Sequence, residues 1–249
     1  MNKIIKLLTL SILFSQLVFA QDYDLGKKPE PLGVKRFEFP DYKEATLDNG
    51  LRVFLIEDHE QPMFSFNILL PGGDALEAKQ DAAGFTAGLL MKGTKTKSAY
   101  DISNTLDGIG ANLSVSNSTE YSTVSGSTIM KHKEVLLNML VDILTNPTFP
   151  AEELDKLKSI AKTSLKSEKS NPGTLAINMA KIALFGKNHP YATVSTEKSI
   201  DAIKLEDVKK YFKDFYIPNS STMVIVGDFN TEDMIKELNS KLASWKKGD

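Results

Sequence analysis

The sequence predicts an α+β fold: a mostly antiparallel sheet packed against helices. Three observations carry this. Short segments of alternating apolar and polar residues cluster in the first half of the chain, at Leu51–Leu55, Met63–Leu70, Asn112–Ser118 and Tyr121–Ile129. Longer segments with three- and four-residue apolar spacing fill the second half. One buried-strand run, Thr222–Val226, returns late, and nowhere do strands and helices alternate as a doubly wound sheet requires.

Order is expected to begin near Ala45. Asp48-Asn49-Gly50 is a turn signal, followed by the alternating Leu51, Val53 and Leu55, which together read as a hairpin. In MFSFNILL the apolar face is Phe64, Phe66, Ile68 and Leu70, and Pro71-Gly72-Gly73 stops the strand. Asp81–Met91 turns helical. Ser98 is placed to cap a helix over Ala99–Ile109, with Ile102, Leu106 and Ile109 on one face. Two Ser/Thr-rich strands follow, Asn112–Ser118 and Tyr121–Ile129. Helices are expected over Lys133–Leu144, Pro150–Glu168, Pro172–Phe185, Leu205–Phe215 and Thr231–Trp245. The predicted order is β-β-α-α-β-β-α-α-α-α-β-α.

Composition excludes several functions. The 249 residues carry 30 basic and 32 acidic side chains, a formal charge of −2 that offers no basic face for nucleic acid. There is no cysteine, so thiolate zinc sites, cysteine nucleophiles and lipid attachment through cysteine are out. Residues 1–20 read as a signal peptide: Lys3 and Lys6, an apolar Leu7–Phe19, and Val18-Phe19-Ala20 at the expected cut. The apolar stretch is too short and too interrupted by Ser11, Ser15 and Gln16 for a stable membrane anchor. Export to a periplasm or beyond the cell is therefore expected, with cleavage near Ala20. Residues 21–44 read as a leader, and 45–249 as one domain that stops in what looks like a helix, as a fragment of a longer chain does.

The segment Asp81–Thr94, DAAGFTAGLLMKGT, resembles the signature helix of the insulinase/pitrilysin metallopeptidases, which reads H-x-x-E-H shortly before Lys-Gly-Thr. The resemblance runs on in order through Leu47-x-Asn49-Gly50-Leu51-x-Val53, Gly72-Gly73 with Glu77, Leu106 to Gly110-Ala111, Asn146-Pro147-Thr148-Phe149, Asn171-Pro172, His189-Pro190-Tyr191 and Val224-x-Val226-Gly227-Asp228. It implies one processing-peptidase-like domain, the N-terminal domain of that family.

In that family two histidines one helical turn apart share a zinc ion, and the glutamate between them activates its water. Here those positions are Gly84, Gly88 and Ala87, and the family's later glutamate ligand falls on Ser164. Zinc, the family's cofactor, is therefore not expected, and no catalytic residue is assigned. The glycines either admit a neighbouring backbone or are merely tolerated. His59, His132 and His189 are the remaining histidines. The first stands among Glu57, Asp58 and Glu60 and reads as a solvated, proton-retaining side chain; the second opens a helix; the third organises a loop. No nucleophile elbow, P-loop or dinucleotide fingerprint occurs.

The resemblance further implies a peptide added to a sheet edge, here Asn112, Leu113, Ser114, Val115 and Ser116. It implies an active zinc peptidase of the same family as partner, the two enclosing a chamber for peptide substrates. Two other readings stand beside this one. The chain could open a longer metalloendopeptidase whose zinc site lies in a later domain, or it could be a structural assembly component.

Overall fold

A computed structural model describes residue 33 and residues 39–248. The expected signal peptide and most of the expected leader fall outside the described residues. The strands are β1 (Lys43–Thr46), β2 (Arg52–Glu57), β3 (Met63–Pro71), β4 (Asn112–Asn117), β5 (Tyr121–Ile129) and β6 (Thr222–Gly227). The helices are α1 (Ala82–Leu90), α2 (Ala99–Gly108), α3 (Lys133–Thr145), α4 (Ala151–Lys169), α5 (Pro172–Phe185), α6 (Glu197–Ala202), α7 (Leu205–Phe215) and α8 (Thr231–Lys241).

The six strands form one sheet in the order β1-β2-β6-β3-β5-β4. Only β2 and β6 run parallel, from Arg52 opposite Thr222 to Glu57 opposite Gly227; every other pair is antiparallel. Among the described residues β1 and β4 are the edges. Side chains alternate across the sheet. Phe64, Phe66, Ile68 and Leu70 of β3 are buried, as are Val53 and Leu55, Met223 and Ile225, and Val124. They pack with Leu136, Leu140 and Ile143 of α3, Leu89 and Leu90 of α1, Val208 of α7 and Leu238 of α8 in one core. The opposite face carries Ser65, Asn67, Ser114 and Ser125 toward solvent, as one-sided antiparallel sheets do.

Local chemistry explains the boundaries. The β1–β2 turn closes through the Leu47 N–H to Leu51 O (2.9 Å) and the Gly50 N–H to Leu47 O (2.8 Å), with Gly50 at φ 84°. Ser98 caps α2 in a reciprocal capping box with Asp101. Asn171 caps α5 by accepting from the Gly173 and Thr174 amides, with Pro172 in the first turn.

Three expectations need correction. The sheet starts at Lys43 rather than Ala45, because the residues before the turn pair with β2 and add a strand to the predicted order. The last helix stops at Lys241 and tightens into a 3₁₀ turn over Leu242–Ser244, which lets the Trp245 indole N–H reach the Tyr216 carbonyl (2.8 Å). Helix α6 was unpredicted; its Thr196 cap and Ser199 make a reciprocal box too short to leave an apolar period.

The loop after β3 is clasped to the β4–β5 turn. Gly72, Asp74 and Ala75 amides donate to the carbonyls of Glu120 (3.0 Å), Ser118 (3.1 Å) and Thr119 (2.7 Å). Gly73 lies at φ 59°, and a Cβ there would sit 2.5 Å from the carbonyl oxygens of Ser118 and Thr119. Gly73→Ala is expected to cost about 2 kcal/mol or more through that overlap and the left-handed backbone, read as a fall in the denaturation midpoint.

Candidate functional site

Helix α1 is assembled from small and apolar residues because it is enclosed nearly all round: Ala82, Ala83, Phe85, Thr86, Ala87, Leu89 and Leu90 are buried. It packs on α7, β4 and α4. The Thr86 hydroxyl donates to the Ala82 carbonyl (2.7 Å) and approaches the Val208 carbonyl (3.3 Å), tying α1 to α7. Asp81, at its N-terminus, adopts φ 72° and caps nothing with its side chain. Glu77 fills that role from the preceding loop: its carboxylate accepts from the amides of Asp81 (2.8 Å) and Ala83 (2.9 Å). Past the other end, the Thr94 and Thr96 hydroxyls both donate to Asp142 of α3 (2.6 Å each), which also accepts from the Asn146 amide (3.1 Å). The Lys92-Gly93-Thr94 part of the motif thus anchors the exit of α1.

A cleft of about 760 Å³ opens beside this helix. Gly84, Ala87 and Gly88 of α1, Ser164 of α4, and Val115 and Ser116 of β4 all line it. The four substituted positions and part of the proposed edge strand therefore share one hollow. Neither glycine admits a neighbouring backbone. A Cβ at Gly84 would meet nothing within 4 Å, and one at Gly88 would meet Leu157 Cδ1 at 3.2 Å. Gly84, Gly88, Ala87 and Ser164 supply no imidazole or carboxylate, so the donor set does not fit a zinc ion, and no step through a metal is derived. Among the described residues no group of three or more histidine or acidic side chains is placed to hold one.

Strand β4 is the cleft's ordered wall. Ser118 donates its amide to Tyr121 O (2.9 Å), and the register steps back from there to Asn112 opposite Ser127. Alternate residues of an antiparallel pair point their backbone groups inward or outward. Ser116, Ser114 and Asn112 thus bond to β5, and the N–H and C=O of Leu113 and Val115 face the outer edge. Leu113 is buried beneath, and Ser114 and Ser116 point their hydroxyls to Ser125 (2.9 Å) and Thr123 (2.6 Å) on the solvent face.

Acidic groups that sequence reasoning passed over rim the cleft. Asp74 accepts from the Asn117 side-chain amide (2.6 Å), and Asp81 accepts from the Ser195 hydroxyl. Burial, reinforced by Asp81, raises the Asp74 carboxyl above the ordinary range. Burial pushes Glu77 further, up to about 7, against the pull of its two amide donors. Asp74 stands in the loop after β3 and Asp81 just ahead of α1, so only the tertiary clasp reveals their proximity.

The histidines stand apart from the cleft's floor. His59 Nδ1 lies 2.7 Å from Asp228 and Nε2 3.3 Å from Glu57, so both carboxylates hold its proton, the Asp228 bond first. Asp228 is distant in sequence and was not foreseen. His132 precedes α3, and His189 accepts from the Tyr191 amide (3.1 Å) in the turn over Pro190–Ala192.

Fold and cleft together define an insulinase-type domain, and comparison with known proteins agrees. Residues 52–196 match the model of the insulinase family (peptidase family M16), and residues 202–249 match that of the peptidase M16 inactive domain. The chain belongs to the insulinase family. It is 24% identical over 208 residues to a Bacillus subtilis protein named uncharacterized zinc protease YmxG, covering 82% of this chain and 50% of the relative. It is 29% identical over 190 residues to the Helicobacter pylori non-peptidase homolog YmxG, covering 75% and 44%. The solved peptidase M16 inactive domain from Pseudomonas fluorescens superposes with TM-score 0.79 at 25% identity, over 84% of this chain and 52% of that one. The periplasmic protease PqqL from Escherichia coli shares the fold at TM-score 0.73 and 15% identity, over 84% and 24%. The chain spans about half the length of the curated relatives it matches.

Two predictions follow from this geometry. The folded Glu77 value lies above that of an unfolded glutamate, so its contribution to stability is complete below the unfolded value near 4.5 and is lost as pH rises through about 7. The denaturation midpoint of the native chain, relative to Glu77→Gln, should accordingly fall between those limits. Replacing Gly84→His, Ala87→Glu, Gly88→His and Ser164→Glu together should install a zinc site, since Gly84 faces open space and Leu157 need yield only slightly. Metal analysis after dialysis should find near one equivalent of zinc in that variant; a folded variant without zinc would show that the four positions do not converge.

Proposed function

We propose that this chain is a non-catalytic insulinase-family subunit that completes a peptide-binding chamber with an active zinc peptidase of the same family. The observation that carries the reading is the convergence of an edge strand with the substituted positions. The outward-facing backbone of Val115, on the edge strand, borders the hollow whose floor is Gly84, Ala87 and Gly88. Strand addition relies on main-chain hydrogen bonds, so it outlives the loss of a metal. The Helicobacter pylori relative, named a non-peptidase homolog, supports the absence of catalysis. Export to a periplasm or beyond accords with the expected signal peptide and with the periplasmic protease among the structural neighbours. No described helix is long and apolar enough to cross a membrane.

A second reading draws on the doubled length of the relatives and on the name zinc protease that one of them bears. In it the chain is the opening part of a longer metalloendopeptidase with its zinc site further on. An H-x-x-E-H motif in coding sequence continuous with Asp249 would favour this second reading over the first.

The test is purification of the tagged chain from its native host. The subunit reading expects an H-x-x-E-H zinc peptidase to accompany it in near equal amount; recovery of the chain alone would overturn the reading. In the reconstituted pair, Val115→Pro removes one outward-facing donor and should lower peptide cleavage about tenfold, with little change in the denaturation midpoint. Ser114→Pro removes a bond to β5 and should lower the midpoint instead.

A further inference from the structure

One row of side chains crosses the helix-facing side of the sheet and ends at the cleft. The registers set Val53 of β2 beside Met223 of β6, and Met223 beside Ile68 of β3. Ile68 then stands beside Val124 of β5, and Val124 beside Val115 of β4. Every member is apolar. The first four are 0% exposed, whereas Val115 is only partly buried and lines the cleft. On the opposite face the neighbours of Val115 are Ser114 and Ser116, whose hydroxyls reach Ser125 and Thr123. Strand β4 is an edge, and the main-chain N–H and C=O of Val115 face outward. A segment added there continues the sheet, and its residue opposite Val115 turns its side chain to the helix-facing side.

The space that side chain would enter has apolar walls. Helix α4 presents Leu157, Ile160, Ala161 and Ser164 to the cleft at three- and four-residue spacing, which is one helix face. Ile160 is 61% exposed there. On α1, Gly84 is exposed, and a Cβ on it would meet nothing within 4 Å. Nearer the clasp the lining turns acidic. Asn117, the next residue of β4 on the helix-facing side, binds Asp74, and Asp81 lines the same cleft. A carboxylate on the added segment, two residues from the one opposite Val115 and toward the clasp, would face these acids.

We infer that the cleft selects extended peptides by one bulky apolar side chain, seated between α1 and α4 beside Val115, and rejects acidic residues on its clasp side. The inference rests on the edge-strand part of the proposed function and deepens it by naming the class of peptide. Two observations choose a peptide over a small apolar molecule. The outward main-chain pair of Val115 offers hydrogen bonds that only an extended backbone matches in series. The apolar row on one face and the hydroxyls on the other also fit the side-chain alternation of a strand.

The test is fluorescence polarisation with the purified chain and labelled, end-blocked Ser/Thr peptides that carry one central phenylalanine. Replacing that phenylalanine by alanine should weaken binding at least about tenfold, and so should glutamates placed two residues to either side of it. Gly84→Leu fills the space and should weaken the phenylalanine peptide equally, with the denaturation midpoint unchanged or raised, since leucine favours a helix over glycine. Ile160→Gln alters an exposed position and should do the same at an unchanged midpoint, so the result stays readable if Gly84→Leu disturbs α1. Equal binding of the phenylalanine and alanine peptides, or undiminished binding by both variants, would overturn the inference. The subunit reading would then still stand on its own copurification test. Undiminished binding of the glutamate peptide would overturn the charge selection. Competition by N-acetylphenylalaninamide as effective as by the unlabelled peptide would assign the hollow to small apolar molecules and overturn the peptide. Failure of every peptide to bind would overturn the selection and the edge strand together.

Discussion

Strand β3 is the member on which the structure hangs. It is hydrogen-bonded on one side to β5 along its whole length and on the other to β6, which arrives from more than a hundred residues away. Its four inward side chains, Phe64, Phe66, Ile68 and Leu70, stand at the centre of the core. Packing there is close enough that Gly126 of β5 has no room for a Cβ: one would lie 2.5 Å from the Phe66 ring. Because β3 joins the early hairpin's partner β6 to the β4–β5 pair, the position of the edge strand relative to α1 follows from this one ladder.

The fold was legible where a local period coincides with burial. The alternation in β3 and the Ser98 capping box are local signals, and both elements form where those signals place them. The start of the sheet was not legible, since Lys43 to Thr46 have little apolar pattern and are held by pairing to β2 and by an ion pair from Lys43 to Glu232 of α8, both distant from the local pattern. Helix α6 escaped for a related reason: six residues are too few to show a period.

The candidate site was legible only in part as a place. Counting along the motif put Gly84, Ala87, Gly88 and Ser164 together, and all four line one cleft. The acidic rim could not be read this way. Asp74 meets Asn117, and Asp81 meets Ser195, across separations that only the folded chain closes. The same holds for His59, whose nearer carboxylate in space is Asp228 rather than its sequence neighbours. Helix α1 is fixed at both ends, because Glu77 caps its start and Asp142 ties its exit to α3. Neither contact needs a metal.

The clasp between residues 72–75 and the β4–β5 turn also sets a length limit. It occupies the carbonyls of Ser118, Thr119 and Glu120 and so closes one end of the β4 edge. What stays open is a ledge only a few residues long, ending in the turn at Gly110. Long sheet edges recruit further copies of themselves and grow into fibres. An edge stopped at both ends can take up one short extended segment and cannot template a continuous stack, so the opening that would let this domain hold a peptide is also dimensioned against self-polymerisation.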